Sequence, residues 1–164
     1  WLPVGHGCTD SGERGAVMAE YVQLPEDMSG LAAIETTGEW QPFWEGLRRS
    51  EVLIQQCKSC GHKQFYPRYL CTACGGEPDW LHFDGEAALY TYSVIRKHHQ
   101  SPFKEMAPFI VAMVDLGDGV RMMSNLINCD LEQVEIGMPL KPAFVEVREG
   151  LTVLYWQPAL TEGH

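Results

Sequence analysis

The chain has 164 residues, of which 45% are hydrophobic, and it carries a formal net charge of −10. This length is typical of one ordinary hydrophobic core with a small additional module. No run of about 18 apolar residues occurs, so the sequence predicts no transmembrane helix. The acidic balance makes long nucleic acid an unfavourable partner, because binding it depends on neutralising several phosphates together.

Residues 1–36 are predicted to be a flexible N-terminal arm, because they are rich in Gly, Ser and acidic residues without periodicity. Tyr21, Val22 and Leu24 are apolar enough to dock on another part of the chain. Cys8 lies two positions after His6 in this arm. That spacing is more typical of chance than of a pair of metal ligands.

Trp40, Phe43, Trp44 and Leu47 follow at the spacing i, i+3, i+4 and i+7, which predicts a short amphipathic helix. Pro42 fits the first turn of such a helix. The aromatic face either packs on the domain behind it or contacts a partner protein. Two Trp and one Phe on one short face favour a partner interface, in whole or in part.

Two CxxC pairs, Cys57–Cys60 and Cys71–Cys74, are separated by ten residues, and a glycine follows each pair. Each pair can turn two sulfurs toward one point, so four thiolates form a tetrahedral cage suited to Zn²⁺. A rubredoxin-like iron site uses the same ligands, and two disulfides are a further alternative. Four thiolates leave no open position for substrate, so the metal is expected to be structural.

The fold predicted from these elements is mainly β: an aromatic helix and a four-Cys zinc ribbon precede a five-stranded OB-fold barrel. Two ribbon strands are expected, at Glu51–Gln56 and Lys63–Leu70, and Trp80 and Phe83 mark a short connector. The predicted barrel strands are Ala87–Arg96, Pro108–Leu116, Val120–Ile127, Leu140–Val147 and Leu151–Trp156. A polar loop is expected at His98–Ala107 and a helical turn at Asn128–Ile136. The predicted domains are helix plus ribbon at 37–82, the OB-fold at 83–158 and a C-terminal tail at 159–164.

Charge is unevenly distributed, since residues 57–104 contain six basic and four acidic residues in a chain of net charge −10. A phosphate-bearing ligand or an acidic partner could be drawn to this region. Scattered solvated charges explain the same pattern.

Two candidates for catalysis lie outside the ribbon. Cys129 follows an apolar strand, where a buried, unreactive thiol is the simpler interpretation. The pair His98-His99 has no carboxylate or nucleophile nearby in sequence to support a role as general base. Contact with a phosphate or a partner suits the pair better, and a solvated loop is the alternative. We therefore predict no catalytic residue in this chain.

The chain resembles the acyl-CoA-associated proteins that join a rubredoxin-like zinc ribbon to an OB-fold, from about residue 40 to residue 158. The matching motifs are Pro42-Phe43-Trp44-Glu45-Gly46-Leu47, the ribbon with Tyr66-Pro67-Arg68, the strand Tyr90-Thr91-Tyr92-Ser93-Val94-Ile95, the turn Val114-Asp115-Leu116-Gly117-Asp118-Gly119, and Ile136-Gly137-Met138-Pro139-Leu140. Tyr66 replaces the first of two familiar prolines, and Thr72 replaces a proline of the second knuckle. Both departures leave the four ligands intact.

This resemblance implies a non-catalytic, hetero-oligomeric subunit that pairs with a thiolase-fold enzyme acting on acyl-CoA thioesters. Paired cysteines that must remain thiolates predict a reducing, cytoplasmic setting. The partner would be an acyl-CoA thiolase (an acyltransferase) or a related aldolase, for example of aromatic or sterol side-chain breakdown. The chain would share the coenzyme A thioester with that partner. The charge pattern suggests Lys63, Arg68, Arg96 and Lys97 as contacts for its phosphates. The alternative is a stand-alone binder of single-stranded nucleic acid that uses strand aromatics for stacking.

Overall fold

The computed structural model describes residues 21–26, 28 and 36–159. Most of the predicted arm, including Cys8, and most of the predicted tail lie outside the described residues. Within the described residues the strands are β1 Tyr21–Val22, β2 Leu53–Cys57, β3 Lys63–Gln64, β4 Pro78–His82, β5 Ala87–Ile95, β6 Phe109–Asp115, β7 Arg121–Leu126, β8 Cys129–Asp130, β9 Pro139–Arg148 and β10 Leu151–Pro158. The helices are α1 Gln41–Arg48 and α2 Phe103–Met106. Within this described part, neither helix has the length and apolar character needed to cross a membrane.

The predicted aromatic helix is confirmed as α1, which follows a 3₁₀ turn at Gly38–Trp40. Pro42 lies in its first turn, where the missing backbone N–H leaves no intrahelical hydrogen bond unmade. Phe43 and Leu47 face inward and are buried in a core shared with the barrel. The helix therefore packs on the domain behind it through at least half of its apolar face.

The ribbon contains three strands rather than the two expected, with β2 hydrogen-bonded to β3 on one side and β4 on the other. The predicted second strand, which ran on to Leu70, ends at Gln64, because the chain turns before Pro67, which cannot donate to a ladder. The predicted connector around Trp80 is instead β4, antiparallel to β2 with Trp80 opposite Gln55. Pro78 and Asp79 have low strand propensity, so pairing with β2, rather than local sequence, determines this strand.

The predicted five-stranded barrel is confirmed, with strand order β10-β7-β6-β5-β9 in a closed sheet. The closing pair, β7 with β10, is parallel and is recorded at one position only, Trp156 opposite Leu126. Beside it, the hydroxyl of Ser124 donates to the carbonyl of Leu154 at 2.8 Å, so a side chain continues the contact between the two strands. Helix α1 lies against β10 next to this seam.

The turn between β6 and β7 forms at Gly117-Asp118-Gly119, as predicted, and all three residues have positive φ angles of 80°, 51° and 79°. The Asp115 carboxylate accepts a hydrogen bond from the Gly117 amide at 2.8 Å. That bond, followed by the Arg121 side chain, holds the pKa of Asp115 below its ordinary value. Asp115 is therefore a turn residue, as its sequence context predicts.

Two loop predictions need correction. The region Asn128–Ile136, expected to be a helical turn, begins with strand β8 and continues as a 3₁₀ turn at Leu131–Gln133. The polar loop His98–Ala107 contains helix α2, because Met106 is buried and fixes this turn against the barrel. In both regions the observed structure depends on packing against the rest of the fold, which the polarity of the local sequence does not indicate.

Strand β1 lies within the predicted arm, and it pairs with β8 so that Val22 stands opposite Cys129. Val22 is 1% exposed and belongs to the main core. We expect Val22→Ala to lower the free energy of unfolding by about 1–3 kcal/mol, because two methyl groups leave a well-packed site. Urea unfolding followed by circular dichroism measures this loss, and Gln23→Ala in the next position should cost less than about 0.5 kcal/mol.

Candidate metal centre and neighbouring surfaces

The sulfur atoms of Cys57, Cys60, Cys71 and Cys74 all lie within 4.8 Å of one another. The sulfurs of Cys57 and Cys74 are 3.5 Å apart, and those of Cys60 and Cys71 are 3.7 Å apart. These separations are far longer than a disulfide bond of about 2.05 Å. They match the roughly 3.8 Å edge of a tetrahedron with Zn–S distances of about 2.3 Å. The four predicted ligands therefore converge on one site, and the disulfide alternative is wrong.

The protonation of this cluster also favours a cation. A hydrogen bond from the Cys60 backbone lowers the pKa of Cys57 to about 6. For Cys74 the Gly76 amide acts to lower the pKa, but hydrogen bonds from the Cys74 thiol to the sulfurs of Cys60 and Cys57 outweigh it and raise the pKa to about 12. Four thiols this close cannot all ionise unaided, whereas Zn²⁺ binds all four as thiolates. The donor set therefore fits a structural zinc ion.

The glycine after each CxxC pair adopts a backbone conformation that favours glycine. Gly61 and Gly75 have φ angles of 72° and 73°, a region that residues with a Cβ rarely adopt. Their amides donate to the carbonyls of Cys57 and Cys71 at 2.9 Å, which closes each knuckle. Next to them, the Gly76 amide lies 3.4 Å from the Cys74 sulfur as a hydrogen-bond donor. The two knuckles thus share one backbone geometry.

Two buried glutamines, which the sequence analysis did not identify, hold the loop between the knuckles. The Gln55 side-chain oxygen accepts from the Arg68 amide and from the Gln64 side chain, each at 2.9 Å. The Gln64 side-chain oxygen accepts from the Thr72 amide at 2.9 Å, and its nitrogen donates to the Leu70 carbonyl at 3.5 Å. Both side chains are almost fully buried, at 5% and 6% exposed. Side-chain amides therefore replace strand pairing across residues 65–72.

We expect Gln64→Ala to accelerate zinc loss to a chelator, because it leaves the buried Gln55 oxygen without one of its two donors and the Thr72 amide without its acceptor. A buried polar group that loses its partner costs about 1–3 kcal/mol, which is about 5- to 150-fold in the population of the opened ribbon. Zinc transfer to a colorimetric chelator measures the rate. Gln56→Ala is the matched control, since the Gln56 side chain lies on the same strand and donates to the Gly61 carbonyl at 3.3 Å rather than to the loop between the knuckles. Equal rates for the two variants would contradict the role of Gln64.

The loop held by these glutamines presents an exposed apolar surface, which we call the ribbon tip (Tyr66, Tyr69 and Leu70). Tyr69 is 74% exposed and Leu70 is 62% exposed, while Tyr66 is 39% exposed. The Tyr66 ring is fixed against Trp40, with ring centres 5.8 Å apart. Large apolar side chains on an ordered loop are typical of protein–protein contacts.

Four basic residues were predicted as phosphate contacts, and Lys63 and Arg68 among them have acidic partners on other segments. Lys63 forms an ion pair with Asp118 at 2.7 Å, and Arg68 approaches Glu39 at 3.7 Å. Asp118 lies in the turn next to the Asp115 end of β6, whereas Arg96 and Lys97 follow the opposite end of β5. At about 3.3 Å per residue, these ends are about 20–25 Å apart. The structure therefore does not bring the four residues into one cluster.

The apolar face of the α1 region lies between the core and a groove beside the seam of the barrel. Phe43 and Leu47 are buried in the core and Trp40 and Trp44 are half-buried, and all four side chains line this groove. Ring contacts connect this face to the ribbon, with Trp40 and Phe65 centred 5.6 Å apart. A partner contact through Trp40 and Trp44 stays a prediction, and Phe43 and Leu47 have an internal packing role.

The two candidates for catalysis, Cys129 and His98, lie in surroundings that give each of them a packing role. Cys129 is 5% exposed, and burial raises the pKa of its thiol to about 11. His98 packs edge-on against Phe103 at 5.2 Å, and its Nδ1 lies 3.2 Å from the Gln100 amide. Within the described residues, no carboxylate is hydrogen-bonded to His98. These surroundings are those of a buried thiol and a packed loop histidine.

Two family descriptions match consecutive parts of the chain. The rubredoxin-like zinc ribbon domain of ChsH2 matches residues 44–79, and the C-terminal OB-fold domain of ChsH2 matches residues 80–145. The matched ranges meet inside β4, which pairs with the ribbon strand β2. The bounds 37–82 and 83–158 stay predictions.

Individual proteins show the same similarity. A DUF35 domain-containing scaffold protein of Methanothermobacter thermautotrophicus is 36% identical over 117 residues, which are 70% of this chain and 85% of that protein. A protein of Thermomonospora curvata described as a probable enoyl-CoA hydratase alpha subunit is 33% identical over 122 residues, 73% of this chain. This chain spans only 38% of that subunit.

A solved structure of the Ltp2-ChsH2(DUF35) aldolase contains a chain that superposes with a TM-score of 0.68 at 30% identity. The superposition covers 78% of this chain and 98% of that chain. Both the ribbon and the barrel are therefore shared with a protein that has been seen in an aldolase complex. Fold, ligand set and sequence agree, and the chain belongs to the DUF35 family of scaffold proteins, with a ChsH2-type zinc ribbon followed by an OB-fold domain.

Proposed function

We propose that this chain is a non-catalytic, zinc-containing subunit of a complex that acts on acyl-CoA thioesters, and that a thiolase-fold partner supplies the catalytic residues. The observation that carries the proposal is the ribbon tip, where Tyr69 and Leu70 are exposed on a loop that a metal site and two buried glutamines hold in place. Preorganised apolar side chains bind a partner with little loss of conformational entropy. We assign the ribbon tip to the catalytic subunit.

The chemistry of the chain supports an accessory role. Four thiolates fill the coordination shell of zinc, so the metal has no position for a substrate or a reactive water. Cys129, the one cysteine outside the metal cluster among the residues that the structure describes, is buried and its pKa is raised, which is opposite to what a nucleophile needs. Thioester chemistry therefore requires groups from another subunit.

The similar proteins supply the substrate class. One is described as an enoyl-CoA hydratase subunit and another belongs to an aldolase. A zinc ribbon joined to an OB-fold accompanies different reactions in these proteins, which suits a part that organises a complex rather than one that performs the reaction. We place the complex in the cytoplasm, because four thiolates persist best in a reducing compartment.

Binding of single-stranded nucleic acid, the alternative from the sequence, has less support. Its best stacking candidate, Tyr90, is 46% exposed, but the Arg121 guanidinium lies 3.6 Å from the ring centre and covers one face. The net charge of −10 also repels phosphates. A filter-binding assay at low salt should detect no retention of single-stranded DNA or RNA.

Affinity purification of the tagged full chain from its native cells tests the proposed function. The proposal expects a stoichiometric partner, and the eluate should cleave or form an acyl-CoA thioester bond or carbon–carbon bond. The chain alone, produced with zinc, should show none of this activity. Thioester turnover by the purified chain alone, or a partner whose activity does not involve coenzyme A, would contradict the proposal.

A further inference from the structure

Met123 differs from every other methionine that the structure describes. It is 58% exposed, whereas Met122, the residue before it, is 2% exposed. The remaining described methionines are buried or partly buried: Met28, Met106, Met113 and Met138. An oxidant in solution therefore reaches the thioether of Met123 far more easily than the other thioethers of this set.

The strand register causes this difference in exposure. Side chains alternate along β7, so Met122 lies in the core of the barrel and Met123 lies on the outer side of the sheet, opposite Met113 of β6. Among the described strands, β10 pairs with β7 only at Leu126, so the pairing at the seam leaves Met123 uncovered. The exposure of Met123 thus follows from its position in a sheet and not from a flexible loop.

Met123 also forms part of the groove beside the seam of the barrel, which has a volume of about 250 Å³. The other side chains that line the groove are mainly apolar and include Trp40, Trp44, Phe65, Phe103 and Val153. No charged residue of the described chain lines it. Ser124 and Asn125 are polar, but their side chains already donate to backbone carbonyls, at 2.8 and 3.0 Å. The thioether of Met123 is therefore part of an apolar wall.

We propose that Met123 is a reversible oxidation site, which reacts with hydroperoxides ahead of the other described methionines and then makes the groove more polar. The thioether sulfur attacks the outer oxygen of the hydroperoxide, so that an S–O bond forms and the O–O bond breaks. The proton of the attacked oxygen passes to the leaving oxygen, which departs as an alcohol or water. Sulfur loses two electrons and the peroxide gains them. A methionine sulfoxide reductase with a dithiol reverses the step and yields the thioether, a disulfide and water.

The exposure of Met123 also makes the product compatible with the fold. A sulfoxide oxygen is a hydrogen-bond acceptor, and an acceptor buried without a donor is unfavourable. At Met122 that oxygen would lie in the apolar core, whereas at Met123 it stays in contact with water. Oxidation of Met123 therefore changes the polarity of the groove and leaves the core intact.

The order of oxidation can be followed by NMR in the zinc-loaded full chain, labelled with methyl-¹³C methionine and treated with tert-butyl hydroperoxide. Single Met→Leu variants assign the seven methyl signals. The Met123 signal should convert to the sulfoxide at least about tenfold faster than those of Met122 and Met106, which become accessible only when the chain opens. The purified, singly oxidised chain should keep its zinc and its melting temperature. Methionine sulfoxide reductase with dithiothreitol should restore the original signal.

The polarity of the groove can be tested with prodan, a neutral fluorescent dye whose emission reports the polarity around it. Met123→Gln places a polar amide at this position without an oxidant. The oxidised chain and Met123→Gln should each bind the dye at least about fivefold more weakly than the unmodified chain. Met123→Leu should bind the dye and keep that affinity after peroxide treatment. Ile136→Gln is the matched control, since Ile136 is 67% exposed and does not line the groove.

The oxidation site would be refuted if Met122 or Met106 were oxidised as fast as Met123, if oxidation of Met123 unfolded the chain, or if the reductase did not restore the signal. Dye affinity that is equal in the unmodified chain, the oxidised chain and Met123→Gln, or no dye binding by the unmodified chain, would refute the change in groove polarity. The proposed function is independent of these results, because it concerns the ribbon tip.

Discussion

Replacement of Cys71 by Ser should abolish tight zinc binding and unfold the ribbon. Cys71 is one of the two buried ligands, and a serine hydroxyl is not a thiolate at neutral pH. In small zinc domains, binding of the metal supplies about 10–16 kcal/mol of apparent folding free energy. The ribbon strands contain five, two and five residues. A sheet this small is not expected to stay folded without the free energy that zinc binding supplies.

The barrel should also lose stability, although it keeps most of its own strands. Val52 and Ile54 of the ribbon region belong to the same hydrophobic core as Ile110, Leu126 and Trp156 of the barrel. If the ribbon unfolds, its side chains leave this core and the barrel residues that packed against them become exposed to water. We expect the melting temperature of the remaining structure to fall by about 10 °C or more.

Zinc per chain, measured by atomic absorption, and thermal unfolding, followed by circular dichroism, check both effects. Cys129→Ala is the matched control, because it removes a buried thiol of β8 that lies outside the metal cluster. That variant should retain one zinc per chain and unfold only slightly earlier. A Cys71→Ser chain that kept its zinc and its melting temperature would contradict a structural role for the metal.

The metal centre could be predicted because its information is local. Two CxxC pairs with following glycines specify each knuckle within a few residues, and the structure brings the four sulfurs together as expected. The barrel strands were predictable for a related reason. Alternating β-branched and aromatic residues, interrupted by Gly117-Asp118-Gly119 and Gly150, specify strands and turns in chain order.

The features that were missed depend on residues distant in sequence. Pro78–His82 has a weak local preference for a strand and becomes one because β2 offers it a partner. Gln55 and Gln64 are ordinary polar residues in sequence, and only the fold shows that both are buried and support the loop between the knuckles. A glutamine on each side of the first CxxC pair, in strands that pair with each other, could have indicated this support for the loop.

The four predicted phosphate contacts show the limit of reading charge along a chain. Lys63 and Arg68 belong to the basic region of the sequence, yet each is paired in the structure with an acidic residue from another segment. These partners are Asp118 and Glu39. Lys104 belongs to the same basic region but was not among the predicted phosphate contacts, although the structure places its neighbour Phe103 in the wall of the groove. Ion pairing between distant segments therefore decides which cations remain available to a ligand.

Replacement of the two most exposed residues of the ribbon tip, Tyr69→Ser with Leu70→Ser, should release the proposed catalytic partner while the chain stays folded. The loop backbone is held by Gln55 and Gln64 through the amides of Arg68 and Thr72, so the two exposed side chains contribute little to folding. At an interface, truncation of a central aromatic or aliphatic side chain often costs about 2 kcal/mol or more of binding free energy, which is about 30-fold in affinity. We expect the double variant to weaken the complex by at least that factor.

Biolayer interferometry with the immobilised chain and the co-purified enzyme measures the affinity. Zinc content and melting temperature, which should match those of the unaltered chain, show that the ribbon is intact. Ile136→Ser provides the control, because Ile136 is similarly exposed but follows the 3₁₀ turn after β8. Undiminished affinity in the double variant would place the partner elsewhere, with the aromatic face at Trp40 and Trp44 as the next surface to alter. Loss of affinity in the double variant, with the Ile136→Ser affinity unchanged, would assign the interface to the metal-held loop.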